Sequence, residues 1–108
     1  MADGLVLVTG DIVAKAGAFG ALFAAARAHS ARSRAEPGCL SHDCFQDPDN
    51  PDRIVFVERW RDAAVLAAHF RTPGIAQLLA AFADHADERG TMQVYQATEV
   101  PPPPPGAG

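Results

Sequence analysis

The sequence predicts an α+β domain in which a four-stranded antiparallel sheet carries helices on one face. Residue patterns typical of strands and helices follow one another in the order β-α-β-β-α-α-β. A split β-α-β arrangement of this kind favours an antiparallel sheet with helices on one side. The chain has 108 residues, which suits a single domain. We expect that domain to occupy residues 1–100.

The first strand and the first helix are predicted from their apolar residues. Leu5–Val13 is rich in Leu, Val and Ile, as is typical of a strand. Lys15 to about Ala35 is predicted to be a helix, because its apolar residues recur at spacings of three and four. Pro37-Gly38 ends it. The apolar stripe of this helix consists of Phe19, Leu22, Phe23 and Ala26.

A hairpin is predicted in the middle of the chain. Cys39–Gln46 is expected to be its first strand, and Arg53–Trp60 is the clearest strand of the sequence. Between them, "DPDNPD" at Asp47–Asp52 concentrates residues that favour turns and predicts the hairpin loop.

Two helices and a last strand complete the predicted domain. Asp62 is a suitable N-cap for a helix that runs to about Phe70. Thr72-Pro73-Gly74 breaks it, and a further helix runs from Ile75 to about Arg89. The expected buried side of that helix consists of Ile75, Leu78, Leu79 and Phe82. The last strand is expected at Thr91–Val100, after Gly90, and residues 101–108 form a Pro-rich tail that should be extended or disordered.

Both faces of the predicted sheet are apolar, although helices are expected on only one. In the third strand Ile54 and Phe56 point to one face while Val55 and Val57 point to the other, and the first strand repeats this pattern. A sheet with one solvated face would alternate apolar and polar residues. The sequence therefore predicts a homodimer in which the open faces of two sheets pack together.

Charge and hydropathy disfavour some partners. The net charge is −4, and Lys and Arg form no cluster, so we expect neither nucleic-acid nor membrane-surface binding. No apolar run approaches the roughly 20 residues that span a bilayer. The N-terminus lacks the pattern of a signal peptide. A cytoplasmic protein is expected, and Cys39 and Cys44 are expected to be free thiols on opposite faces of one strand.

The most suggestive polar residues follow the clearest strand. Period-two alternation places Phe56, Glu58 and Trp60 on one face. If the next helix folds back over the strand, His69 reaches the level of Glu58. Glu58 or His69 would then be a general base in a pocket walled by Trp60, Phe56 and, from the last helix, Phe82.

Structural roles for the same residues stay open at this point. Trp60 can belong to the core, Glu58 can pair with Arg59 or Arg61, and His69 can be a hydrogen-bonded core histidine. His29, His42 and His85 are scattered in the sequence and share no metal-ligand spacing, so no metal site is predicted.

The segment from Glu36 to Pro73 resembles the antibiotic biosynthesis monooxygenase family, which includes proteins described as quinol monooxygenases. The matching elements are Glu36-Pro37-Gly38-Cys39, the loop at Asp47–Asp52, Glu58-x-Trp60, and His69-Phe70 before Thr72-Pro73. The resemblance covers nearly the whole domain in element order.

This resemblance implies a ferredoxin-like fold and a homodimer of the dimeric α/β-barrel type. It also implies oxidation of a small quinol or phenol by O₂ with no metal or flavin cofactor, and it assigns Glu58, Trp60 and His69 to the site. A binding module for a small hydrophobic ligand, without turnover, is the alternative. Haem degradation is disfavoured, because Leu5–Val13 contains no asparagine and His69 comes too early for the haem ligand of such relatives.

Overall fold

The computed structural model describes residues 4–87 and 90–106. In chain order the elements are β1 (Leu5–Val13), α1 (Phe19–Arg34), β2 (Cys39–Asp47), β3 (Asn50–Trp60), α2 (Ala63–His69), α3 (Pro73–His85) and β4 (Thr91–Ala97). The four strands form one antiparallel sheet in the order β2-β3-β1-β4. The predicted α+β, ferredoxin-like fold class is confirmed, and β1 has the predicted bounds.

Several predicted boundaries shift. Helix α1 begins at Phe19 rather than Lys15, because Gly17 adopts a φ of +80° that does not fit a right-handed helix. Strand β3 begins at Asn50, so the hairpin turn is shorter than the six residues predicted. Helix α3 ends at His85, and the end expected near Arg89 lies outside the described residues.

The start of α2 follows the predicted chemistry. Asp62 has an extended backbone, and its side chain accepts a hydrogen bond of 2.9 Å from the backbone N–H of Val65. This bond satisfies a donor that the helix itself leaves unpaired. The N-cap prediction is confirmed.

The helices cover one face of the sheet, and strand alternation sends the core residues to that face. Val6, Val8 and Ile12 of β1 are buried there, as are Ile54 and Trp60 of β3. The opposite face carries the other half of each strand. Its apolar side chains are Leu5, Leu7, Phe45, Val55, Val57 and Tyr95, of which Phe45 and Tyr95 are 55% and 50% exposed.

The expected burial of α3 is wrong. Ile75, Leu78 and Phe82 are only half-buried, and Leu79 is 58% exposed. The helix does carry an apolar side, but that side borders a cavity instead of packing closely on the sheet. The apolar stripe of a helix predicts which side of the helix faces away from water. It does not predict whether that side packs on the sheet or borders a cavity.

The predicted placement of the two cysteines on opposite faces is also wrong, although both thiols are free as expected. Cys39 is paired with Trp60 and Cys44 with Phe56, which are side chains of one face of β3. A β-bulge between Cys39 and Ser41 adds one residue to the count and brings both cysteines to the helix-covered face.

A close approach at Gly38 fixes the position of α2. Gly38 has a φ of +81°, and a Cβ atom added there would lie 2.6 Å from Cγ1 of Val65. Only glycine fits both this backbone conformation and this distance. Among the described residues, none of the helices has the length and apolar character needed to cross a lipid bilayer.

Candidate functional site

A cavity of about 310 Å³ lies between the sheet and the helices. Its polar lining includes Glu58, His69 and His29, all buried side chains. Its apolar walls come mainly from Val8, Phe56, Phe70, Ile75, Leu78, Leu79, Phe82 and Met92. The structure therefore brings Glu58, His69, Phe56 and Phe82, four of the residues singled out in the sequence, to the same space.

Glu58 is held in place by a tryptophan and not by an arginine. Its Oε1 accepts a hydrogen bond of 2.9 Å from the indole Nε1 of Trp60, two residues along β3. Loss of hydration raises the pKa of the Glu58 carboxyl, although the bond from Trp60 opposes this shift. The alternative in which Glu58 pairs with Arg59 or Arg61 does not match the structure, because Arg59 donates to the Ser41 hydroxyl and Arg61 pairs with Asp62.

The expectation that Trp60 forms a wall of the pocket is corrected. Trp60 is completely buried and packs with Val6, Val8 and Leu66. It is absent from the cavity lining and lies behind Glu58. Its contribution to the site is thus to orient the carboxylate and to pack against His69, with 4.6 Å between the ring centroids and 40° between the ring planes.

His69 reaches the cavity from the last turn of α2 and is fixed by a second carboxylate. Its Nδ1 donates to the Glu36 carboxylate, at 3.0 Å from Oε1 and 3.1 Å from Oε2. Leu66 and His69 share one side of the short helix at a spacing of three residues, and both are buried. The Nε2 atom of the His69 ring is left free of this bond.

His42 stands beside Glu58 on the neighbouring strand, as their paired register requires. Its Nδ1 shares a hydrogen bond of 2.8 Å with the Ser30 hydroxyl. Its Nε2 lies 3.3 Å from Glu58 Oε2, but the geometry does not meet that of a hydrogen bond, and this nitrogen has no hydrogen-bond partner among the described residues. Burial, together with the nearby His29 and His69, lowers the pKa of His42 to about 3.

His29 continues the buried side of α1, seven residues after Leu22 and three after Ala26. Its Nδ1 also has no hydrogen-bond partner in the part of the chain that the structure describes. Burial lowers the pKa of His29 to about 4, and the positive charges near it, His69 and Arg32, act in the same direction.

The three histidines therefore converge, which the sequence did not indicate. One ring nitrogen from each of His29, His42 and His69 lies within 4.8 Å of the others. In the sequence His29 and His42 are scattered, and no role was predicted for Glu36. The helical spacing of His29 from Leu22 and the strand alternation that pairs His42 with Glu58 contained part of this information.

Chemically, the arrangement offers a proton acceptor at the end of an apolar cavity. Glu58 and His69 both border the cavity, and each is oriented by a further side chain, Trp60 and Glu36 respectively. Such a pair can remove a proton from a molecule bound against largely apolar walls.

Comparisons with known proteins agree with this architecture. A sequence profile described as antibiotic biosynthesis monooxygenase matches residues 6–81, more than half of the chain. The uncharacterized protein sll1783 of Synechocystis sp. is 29% identical over 99 residues, which cover 92% of this chain and 67% of that protein.

Solved structures extend the comparison. PA3566 from Pseudomonas aeruginosa is 27% identical, with a TM-score of 0.78 over 94% of this chain and 99% of its own. A crystal structure of an antibiotic biosynthesis monooxygenase is 29% identical, with a TM-score of 0.77 over 88% of this chain and 99% of its own.

Proposed function

The chain belongs to the antibiotic biosynthesis monooxygenase family, and we propose that it oxidises a small quinol or phenol with O₂. The observation that carries this proposal is the cavity of about 310 Å³, in which apolar walls end at a buried carboxylate and a buried imidazole. Cavities that bind small molecules are mostly apolar and contain a few oriented polar groups. A planar aromatic molecule with one acidic hydroxyl suits both features.

The proposed reaction begins with a proton transfer. Glu58 or His69 takes the phenolic proton, and the electron-rich anion gives one electron to O₂. The two radicals combine at a ring carbon to form a substrate peroxide. The base returns its proton to the peroxide, and the ring carbon that carries the hydroperoxide then loses its own hydrogen as a proton while the O–O bond breaks. The carbon becomes a carbonyl, and the departing hydroxide takes up that proton and leaves as water. In sum, a phenol C₆H₆O and O₂ give a quinone C₆H₄O₂ and H₂O, so the substrate itself supplies the electrons.

The protein needs to do three things in this scheme. It binds the ring between Phe56 and the apolar side of α3, it places the hydroxyl near the base, and it keeps water away from the anion. Trp60 and Glu36 act as positioning residues because they bond to Glu58 and His69 and do not face the bound ring.

Oxygen uptake by metal-free protein with a panel of hydroquinones and naphthols tests the proposal. We expect at least one substrate to yield a quinone that contains one atom of ¹⁸O from ¹⁸O₂, without release of hydrogen peroxide. Simple two-electron oxidation would instead produce peroxide and leave the product unlabelled. Tight binding of one of these compounds with no oxygen uptake would contradict the proposed oxidation and support the alternative, a binding module for a hydrophobic ligand.

Two variants with matched controls test the base. We expect Glu58→Gln or His69→Ala to lower kcat by about 100-fold or more, the usual contribution of a general base. Glu99→Gln and His85→Ala make the same chemical changes outside the cavity and should keep full activity. Full activity in both cavity variants would show that neither Glu58 nor His69 is the general base.

We also propose that a second copy of the chain covers the open face of the sheet. That face carries the apolar side chains of β1 and β3 together with exposed Phe45 and Tyr95. An exposed apolar surface of this kind is typical of a protein interface. Sedimentation should show a dimer at micromolar concentration, and a stable monomer there would contradict the proposal.

A further inference from the structure

Three buried histidines from three different elements meet at the inner end of the cavity. His29 comes from α1, His42 from β2 and His69 from the end of α2. Their exposures are only 3%, 1% and 2%, and one ring nitrogen of each lies within 4.8 Å of the other two. The oxidation proposed above uses at most one of them.

The hydrogen bonds of these histidines leave one nitrogen of each ring available. Nδ1 of His69 is bonded to Glu36, and Nδ1 of His42 is bonded to Ser30, which leaves Nε2 of both rings. Nε2 of His42 and Nδ1 of His29 have no hydrogen-bond partner among residues 4–87 and 90–106. A buried polar atom without a partner costs about 1–3 kcal/mol, so two such atoms in one cluster call for an explanation.

This pattern of bonds is the one that metal-binding histidines show. Such a histidine binds the metal through one nitrogen and donates its other N–H to a carboxylate or another acceptor, which fixes the ring. Glu36 serves His69 in this way, and the Ser30 hydroxyl serves His42. The ligand type also selects the metal, because imidazole nitrogens suit transition metals such as zinc, copper, iron and nickel, while magnesium and calcium prefer oxygen.

We propose that His29, His42 and His69 form a binding site for a divalent transition metal, with Nδ1 of His29 and Nε2 of the other two as ligands. Metal–nitrogen bonds of about 2.0–2.1 Å place tetrahedral ligand atoms roughly 3.3 Å apart. One ring nitrogen of each histidine lies within 4.8 Å of the other two, so an inward movement of about 1 Å brings three imidazole nitrogens to this spacing.

The surroundings leave room for a fourth ligand. His29 and His69 both line the cavity, so the metal would have an open side toward it. Glu58 Oε2 is 3.3 Å from Nε2 of His42, so a carboxyl oxygen lies next to the proposed metal position. A metal held by three histidines with an open position and an adjacent carboxylate can bind and polarise a small oxygen-containing ligand.

The site shares His69 with the proposed oxidation, so the same molecule cannot use His69 as a free base and as a ligand at once. The two proposals are nevertheless tested separately. Metal binding is measured without substrate, and the oxidation is measured on metal-free protein. Either result therefore stands if the other fails.

Titration of the chelator-treated full chain with Co²⁺ tests the site, because tetrahedral Co²⁺ absorbs visibly. We expect one equivalent per chain, without the thiolate charge-transfer band that Cys39 or Cys44 would give, and displacement of the colour by Zn²⁺. His29→Leu and His42→Phe should each weaken Co²⁺ binding more than about 10-fold, and Glu36→Gln about 10–100-fold by releasing the His69 ring. His85→Ala removes a histidine outside the cluster and should bind as the original chain does.

Two results would overturn the proposal. One is the absence of Co²⁺ and Zn²⁺ binding by the folded original chain in molar excess of metal. The other is equal affinity in His29→Leu, His42→Phe and His85→Ala. If a variant does not fold, NMR of the original chain decides, since Zn²⁺ should shift the ring protons of His29, His42 and His69. A shift confined to His85 would exclude the site.

Discussion

The space between the sheet and α1 is filled by two clusters of side chains, one apolar and one polar. At one end lies an apolar cluster formed by Ile12, Ala14, Leu22, Ala26, Ile54 and Phe56. At the other lies a polar cluster formed by His29, His42, His69 and Glu58 and backed by Trp60. The same elements supply both, because α1 passes from Leu22 to His29 and β3 passes from Ile54 to Glu58.

This difference separates stability from function. Burial of aliphatic side chains stabilises a fold in proportion to the apolar area removed from water. Burial of titratable groups with unpaired nitrogens opposes folding, and their removal is often neutral or stabilising. The apolar cluster should therefore hold the domain together, while the polar cluster should contribute little to stability and supplies the groups used in the proposed reaction.

The largest expected effect comes from the apolar cluster. Leu22→Ala removes a completely buried side chain and should lower the free energy of unfolding by about 2–5 kcal/mol. Urea denaturation measures this loss. Leu79→Ala is the matched control, since Leu79 is 58% exposed and its truncation should change stability by less than about 1 kcal/mol. Equal losses would mean that the apolar cluster is not the main source of stability.

The next effect concerns the bond that supports the polar cluster. Trp60→Phe removes the indole N–H that Glu58 accepts and should cost about 1–3 kcal/mol, because a buried carboxylate loses a partner. The same substitution made together with Glu58→Gln should cost less, since no charge is left without its donor. Denaturation of the four proteins of this cycle measures the coupling. Equal costs in both backgrounds would show that Trp60 acts by packing alone.

A smaller change in stability, of opposite sign for the two residues, should distinguish His29 from His42 in the polar cluster. In metal-free protein, His29→Leu should leave stability unchanged or raise it by up to about 1 kcal/mol, because it removes an unpaired buried nitrogen. His42→Leu should instead lower stability, since it leaves the buried Ser30 hydroxyl without its partner. Thermal unfolding compares the two. A clear loss in His29→Leu would contradict the view that this cluster opposes folding.

The smallest change in stability is expected at Asp11, a partly exposed carboxylate of β1 that contrasts with the buried Glu58. The Thr91 hydroxyl first, and then the Arg53 guanidinium at 2.8 Å, hold the pKa of Asp11 below its usual 3.8 and outweigh the opposing effect of burial. Because the folded state favours the ionised form, this stabilisation is complete well above pH 3.8 and is lost as the pH falls through the lower folded pKa.

Asp11→Asn tests that contrast. It should lower stability by roughly 0.5 kcal/mol at pH 7, as expected for a partly exposed ion pair. The difference from the original chain should shrink below about pH 4. Denaturation curves over this pH range measure it. A difference that grows in acid would mean that Asp11 favours its protonated form in the folded state.

The sequence predicted the elements better than the site. Periodicity located β1 and the helices because local patterns report local structure. It failed at Cys39, where one bulge residue reverses the faces assigned by counting, and at α3, where an apolar stripe borders a cavity. The histidine cluster lay beyond its reach, since periodicity can assign His29 and His42 each to a buried face, but the three histidines meet only through the packing of α1, β2 and α2.

Gly38 gives the site a control point that lies outside it. The glycine does not line the cavity, yet its contact with Val65 sets how closely α2 approaches the sheet, and α2 carries His69 to Glu36. We expect that a methyl group added at Gly38 would push Val65, and with it α2, away from the sheet. This would separate His69 from Glu36 without changing any residue that lines the cavity. A substitution at this one position should therefore change the contact between His69 and Glu36 although Gly38 itself does not line the cavity.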